Sequence, residues 1–159
     1  MTTFPWISEA EKFIGQSEIK GGKHNPLIVQ WWKDIKRGGI KDDETPWCAA
    51  FVGAMLEHVG IRSTRFESAR SYLDWGVKLQ SPEYGCIVVF TRTGGGHVGF
   101  VVGKTESGDL LVLGGNQGDQ VSVRAFSTDR VSGYRWPDSV PIHRGELAVM
   151  SGKRSESEA

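Results

Sequence analysis

The chain has 159 residues, a length that most simply forms one domain around one hydrophobic core. Its 19 Lys and Arg residues balance its 19 Asp and Glu residues, and this zero net charge argues against a nucleic-acid-binding protein, which normally carries a basic excess. Cys48 and Cys86 are the two cysteines, too few for a disulfide framework and not arranged as a CxxC motif.

The first half of the chain has the patterns of α-helices. Residues 8–14 begin with capping-box spacing and predict a short first helix. Asn25 and Pro26 predict the N-cap and the first position of a second helix, which carries apolar residues at helical spacing. Residues 68–75 predict a shorter fourth helix.

The third predicted helix contains a cysteine in its first turn. We expect Thr45 as its N-cap, Pro46 at its first position and Gly60 as its C-cap. Cys48 would then lie at the positive end of the helix dipole, which favours the nucleophilic thiolate. The alternative is a small buried residue on a core helix, and this segment alone does not separate the two interpretations.

After Pro82 the pattern changes to short segments rich in β-branched residues, separated by Gly, Ser, Asp and Asn. Helices followed by antiparallel strands predict an α+β fold, with N-terminal helices packed on a small antiparallel sheet. We expect one domain over residues 1–150 and a polar, disordered tail over 151–159. The predicted strands cover residues 86–90, 98–102, 110–113, 121–126 and 131–136.

A cysteine nucleophile needs a base, and the base needs an orienting group. His97 follows three glycines and opens a predicted strand, whereas His58 lies too far along the helix of Cys48 to reach its thiol. A two-residue turn after that strand would put Asn116 opposite His97, and a slip of one residue would put Gln117 there instead. Taken singly, His97 could equally be a surface residue and Asn116 a turn residue.

Read together, the segments TPWCAAF, GCIVVF, GGGHVGFVVG, LLVLGGNQ and GYRWP resemble the CHAP-type (cysteine, histidine-dependent amidohydrolase/peptidase) cell-wall hydrolases. They are most similar to the small phage-endolysin-like branch, as are Glu18 and residues 25–28. The resemblance spans roughly residues 15–137 and implies a papain-like cysteine peptidase fold.

By this resemblance, Cys48 is the nucleophile, His97 the general base and acid, and Asn116 the orienting residue. The implied substrate is peptidoglycan, cleaved at an amide bond through a thioester by an amidase or endopeptidase reaction. The backbone N–H of Cys48 is the expected first oxyanion donor. The residues that we assign to substrate binding are Trp47, Gly96 and Gln117.

Two features depart from the resemblance. Cys86 stands where relatives commonly carry an acidic residue, and we interpret it as structural. Residues 42–44 form an acidic run that invites comparison with calcium-binding members, but its spacing is not a recognised loop, and a solvated cluster ahead of a helix is the preferred interpretation. We therefore expect no metal and no cofactor.

The opening residues lack a basic segment followed by an apolar run, so no secretory signal is predicted. We expect a monomeric phage endolysin in the host cytoplasm that acts on peptidoglycan after release, without nucleic-acid binding or membrane insertion. The alternatives are a contact-delivered antibacterial effector with the same chemistry, a non-catalytic wall-binding or virion module, and a cytosolic cysteine hydrolase acting on protein amides.

Overall fold

A computed structural model of the chain describes residues 3–19, 23–43, 45–92 and 95–151. Within these ranges the helices are α1 (Pro5–Glu11), α2 (Pro26–Asp34), α3 (Cys48–His58) and two 3-10 helices, Ala69–Asp74 and Thr128–Arg130. The strands are β1 (Val77–Leu79), β2 (Ile87–Arg92), β3 (Gly95–Lys104), β4 (Leu110–Gly114), β5 (Ser122–Phe126) and β6 (Val131–Trp136). They form one antiparallel sheet in the order β1-β6-β2-β3-β4-β5. The α+β prediction is confirmed.

The helix starts agree with the sequence in one case and differ in two. Helix α2 has the predicted cap, because the Asn25 side chain accepts the Leu27 N–H at 2.9 Å. Helix α1 begins at Pro5, three residues earlier than predicted, since proline suits the first helical position. Helix α3 begins later than predicted, with Trp47 as its N-cap, because the Thr45 N–H donates to Asp42 Oδ1 in a turn that precedes the helix.

Helix α3 lies at the centre of the molecule. Its residues are buried from Cys48 to Leu56, and its other end closes on Gly60, which has a φ of +84°. The Phe51 ring contacts Trp31 of α2 at 5.2 Å between centroids and Phe100 of β3 at 6.5 Å. Packing on both α2 and β3 fixes the direction of α3, and with it the position of its first residue.

The β3–β4 pairing has the predicted register at one end and a different turn at the other. Phe100 pairs with Leu113 and Val101 with Val112, as the register that put Asn116 opposite His97 requires. A bulge then shifts the pairing by one residue, and residues 105–109 replace the predicted two-residue turn. The bulge offsets the effect of the longer turn. The strands therefore have the predicted alignment beyond the bulge, at the end far from the turn, and differ from it by one residue between the bulge and the turn.

The short edge strand β1 was not predicted, since three residues carry too little pattern. The segment leading to residue 150 runs beside Lys104, whose N–H donates to Ala148 O at 2.9 Å and whose carbonyl accepts from Met150 at 2.8 Å. Of the predicted tail, residues 152–159 lie outside the described residues. In the described part of the chain, no helix has both the length and the apolar character needed to cross a membrane.

Candidate active site

Cys48 is the first residue of α3. The Phe51 N–H donates to Trp47 O at 3.0 Å and opens the helix ahead of the cysteine. The residue is 4% exposed, and its thiol is not in a disulfide. Cys48 is thus in the first turn of the helix, where the unpaired N–H groups and the helix dipole favour a negative charge. The late start of α3 therefore brings Cys48 closer to the helix end than the sequence predicted.

His97 is the third residue of β3, and its imidazole is fully buried. It pairs with Phe90 on β2, and the two rings lie with centroids 6.3 Å apart. The Phe126 ring of β5 also lies beside the imidazole at 5.4 Å, tilted by only 16°, and it is itself stacked on Phe90 at 4.8 Å. Full burial against these two rings shows that the interpretation of His97 as a surface residue at a hairpin end is wrong.

The imidazole is hydrogen-bonded to Gln117. Gln117 Oε1 lies 2.8 Å from His97 Nε2, while Gln117 Nε2 donates to the carbonyls of Val112 at 3.1 Å and Ser122 at 2.8 Å. Because carbonyl oxygens only accept, those two bonds determine which way the amide points. The oxygen of Gln117 thus faces the ring, so His97 Nε2 carries the proton and Nδ1 is the basic nitrogen of the neutral imidazole.

Asn116 is fully buried and has a φ of +60°, a left-handed conformation that asparagine tolerates better than most residues. Strand β4 ends at Gly114, so the predicted pairing of Asn116 with His97 falls beyond the last paired residue. The turn at Asn116 carries the chain on to Gln117, whose N–H donates to Gln120 O at 2.9 Å. The orienting role predicted for Asn116 stays a prediction, while Gln117 makes the contact that the slipped register anticipated.

Gly114 and Gly115 connect the histidine to the cysteine helix. A methyl group on Gly114 would lie 2.4 Å from Gln117 Oε1 and 3.5 Å from His97 Nε2. A methyl group on Gly115 would lie 2.7 Å from both the Trp47 ring and Phe51 Cβ. Two consecutive glycines therefore contact the His97–Gln117 pair on one side and the first turn of α3 on the other. Any larger residue at these positions would increase the distance between the His97–Gln117 pair and α3.

Trp47 does not line an open groove, and this part of the substrate-binding prediction is wrong. Its side chain is fully buried, its ring lies 5.8 Å from that of Trp31, and its Nε1 donates to Glu18 Oε1 at 2.8 Å. Gln117 is likewise fully buried and uses its amide on internal partners, which does not fit its assignment to substrate. The third residue of that prediction, Gly96, is half-buried beside the Arg70 side chain, and its role stays a prediction.

The second cysteine has a different environment. Cys86 is fully buried at the entry to β2, and burial raises the pKa of its thiol to about 12. A thiol with this pKa stays protonated near neutral pH and is a poor nucleophile. These properties agree with the structural interpretation of Cys86.

The acidic run ahead of α3 is not simply a solvated cluster, and that expectation is wrong for Asp43. Asp43 is fully buried and accepts the N–H groups of Ile19 at 2.7 Å and Asn25 at 2.8 Å, while its other oxygen lies 3.1 Å from His24 Nδ1. Burial alone would raise the pKa of Asp43, but these hydrogen bonds outweigh it and lower the pKa. Asp43 therefore holds the loop before α2 against the segment before α3.

Glu44, the last residue of the acidic run, lies outside the described residues. In the ranges that the structure covers, no group of three or more His, Cys, Asp or Glu side chains is arranged to hold a metal ion.

A family model for the CHAP domain matches residues 40–116, a stretch that contains Cys48, His97 and Asn116. The match identifies a CHAP domain in residues 40–116, and the α+β architecture is the one expected of a papain-like CHAP domain. CHAP domains are typically cysteine- and histidine-dependent amidohydrolases or peptidases, and the match indicates peptidoglycan hydrolase activity in general. No curated protein matches the chain.

Proposed function

We propose that this protein cleaves an amide bond of peptidoglycan by a cysteine-thioester mechanism, with Cys48 as nucleophile and His97 as general base and acid. The observation that carries the proposal is the hydrogen bond from His97 to Gln117. This bond lies against Gly114, and the adjacent Gly115 packs on the first turn of α3. Core packing alone does not require a buried imidazole with a determined tautomer, joined through two glycines to a helix that starts with a cysteine.

In this mechanism, His97 Nδ1 takes the proton of the Cys48 thiol, and the sulfur attacks the carbonyl carbon of the amide. The tetrahedral oxyanion forms near the N-terminal end of α3, where the Cys48 backbone N–H is the natural donor. The imidazolium then gives its proton to the leaving amine, and a thioester remains on the sulfur. Water activated by His97 hydrolyses the thioester and restores the thiol.

We propose Gln117 as the residue that orients His97. When the ring takes up a proton, its Nε2–H continues to donate to Gln117 Oε1, so the hydrogen bond persists through both protonation states. The two carbonyls that hold the Gln117 amide prevent it from rotating to present its nitrogen to the ring. Asn116 contributes the left-handed turn that directs Gln117 inward.

The biological setting that we propose is that of a phage endolysin, which reaches peptidoglycan once the cell membrane is breached. The resemblance of the WCAAF, GHVGF and GGNQ segments to the small phage-associated branch supports this setting. A contact-delivered effector would use the same chemistry, so the enzyme assay below tests the reaction and not the route by which the protein meets its substrate.

The test uses purified peptidoglycan sacculi incubated with the wild-type protein, Cys48→Ser and Cys86→Ser. We expect the wild type and Cys86→Ser to release soluble fragments, and Cys48→Ser to release none while it still folds and sediments with sacculi. Mass spectrometry of the fragments identifies the new termini: a free lactyl carboxylate indicates an amidase, and a new amine and carboxylate within the peptide, with the lactyl amide intact, indicate an endopeptidase. Undiminished release by Cys48→Ser would refute the mechanism, and wall binding without release by the wild type would indicate a non-catalytic module.

A further inference from the structure

A short N-terminal segment, residues 15–18, lies between α1 and α2 and pairs with the loop that follows Gln117. The Gly15 N–H donates to Val121 O at 2.9 Å, and the Val121 N–H donates back to Gln16 O at 2.8 Å. Ser17 forms an antiparallel bridge with Gln120. The Glu18 N–H then donates to Asp119 O at 3.0 Å. The backbone of Glu18 is thereby fixed to the loop that carries the residue orienting the imidazole.

The side chain of Glu18 points to the other half of the site. Its Oε1 accepts the indole N–H of Trp47 at 2.8 Å, and Trp47 is the residue immediately before Cys48. Trp47 occupies the N-cap of α3 without making a side-chain capping bond to the helix. Its buried indole therefore has its N–H bonded to a residue 29 positions away rather than to α3.

Trp47 transmits this contact to the histidine side. Its six-membered ring packs directly on Gly115, so closely that a methyl group there would lie 2.7 Å from the ring. Gly114, the residue before it, lies against the two side chains of the His97–Gln117 hydrogen bond. A rotation of the indole would press on Gly115 and move the glycine pair against the imidazole, since a packed interior transmits displacement.

We propose that Glu18 is a positioning residue for the hydrolytic reaction: it holds the Trp47 indole so that the start of α3 and the His97–Gln117 pair keep their spacing. This inference rests on the proposed function. Without the Glu18 carboxylate, a buried indole N–H loses its acceptor, and the ring gains by turning toward another one. Displacements of about 1 Å between reacting groups reduce a rate by about a hundredfold, so a small rotation is sufficient.

The test compares Glu18→Ala, Glu18→Gln, Trp47→Phe and the double variant Glu18→Ala/Trp47→Phe. Trp6→Phe is the matched control, because Trp6 is also buried and its Nε1 also donates a 2.8 Å hydrogen bond, to Gly85 O, in a different part of the core. Turnover is measured over rising concentrations of soluble peptidoglycan fragments, per folded molecule as judged by thermal unfolding.

We expect Glu18→Ala and Trp47→Phe each to lower kcat by about tenfold to a hundredfold with a smaller change in KM. The double variant should lose no more than the worse single variant, because both changes remove one hydrogen bond. Glu18→Gln keeps an acceptor oxygen and should recover kcat to within about threefold of the wild type. Trp6→Phe should lower the melting temperature and leave kcat per folded molecule unchanged.

The proposal is overturned if Glu18→Ala lowers only the melting temperature, if the two single losses multiply in the double variant, or if Glu18→Gln is as impaired as Glu18→Ala. These outcomes are interpreted only once the Cys48→Ser variant has shown that activity depends on Cys48. An active wild type whose Cys48→Ser variant is equally active would instead reject the proposed function, so the two failures are distinguishable.

Discussion

Replacing Gly114 by alanine tests whether the His97–Gln117 contact controls activity. The added methyl group would lie 2.4 Å from Gln117 Oε1, about 1 Å closer than an ordinary contact. The amide nitrogen of Gln117 is held by the Val112 and Ser122 carbonyls, so the clash must be relieved at the oxygen. The displaced oxygen then distorts its hydrogen bond to His97 Nε2, which is 2.8 Å long.

Gly99→Ala is a matched control for this change. Its methyl group would also lie 2.4 Å from a neighbour, but the neighbour is the Val112 Cγ1 methyl rather than the polar pair. Both variants overpack the sheet, and both should lose about 1–3 kcal/mol of unfolding free energy. Gly114→Ala alone should displace the imidazole, and a displacement of this size costs about a hundredfold in kcat.

The assay pairs denaturant unfolding with the release of soluble fragments from sacculi, at a temperature where both variants are fully folded. We expect similar losses of stability and a loss of kcat for Gly114→Ala that exceeds the loss for Gly99→Ala by at least about tenfold. Equal activity in the two variants would refute the idea that Gln117 acts through the orientation of His97.

Three further outcomes follow from the described contacts. Iodoacetamide at pH 8 should alkylate native protein at Cys48 and spare Cys86, whose pKa burial raises to about 12, and peptide mass spectrometry that found Cys86 modified before unfolding would contradict this. Burial opposes the charged form of His58, but hydrogen bonds to Asp34 and Glu9 outweigh it and raise its pKa. A raised pKa stabilises the fold below the unfolded value of about 6.5 and loses this effect as pH rises through the folded value, so the wild type should exceed His58→Gln in melting temperature at pH 5.5 and the gap should narrow by pH 9. Asp43→Asn keeps one oxygen for the two backbone N–H groups but loses the negative charge that strengthens these bonds and puts an NH2 group in place of the oxygen facing His24, so it should lose about 1–3 kcal/mol in chemical denaturation, whereas the exposed Asp138→Asn should change it little.

Much of the site was predictable because its signals are local. Asn25 and Pro26 mark the start of α2, and the helical pattern after Pro46 put Cys48 within one turn of a helix start. The change from helical spacing to short β-branched segments predicted an α+β fold and placed His97 on a strand. The β3–β4 register near the site was also predicted, although a bulge and a longer turn produced it.

The sequence did not predict which contacts each side chain makes. The alternation of side chains between the two faces of the sheet stops where β4 ends, at Gly114. Beyond it, the left-handed backbone of Asn116 turns the chain, and Gln117 contacts the imidazole. Likewise, nothing near Trp47 indicates that Glu18 bonds its indole, because the two residues meet only when the N-terminal segment pairs with the loop after Gln117.

By itself, then, the sequence determined the class of fold, the cysteine at the helix start and the histidine on the sheet, because helix caps and strand patterns are set by neighbouring residues. The tertiary structure alone decided which amide is hydrogen-bonded to the imidazole, that Trp47 is buried rather than open to substrate, and that Asp43 is an internal hydrogen-bond acceptor. These contacts join segments that are distant in the sequence and meet only in the packed interior, so no local pattern specifies them.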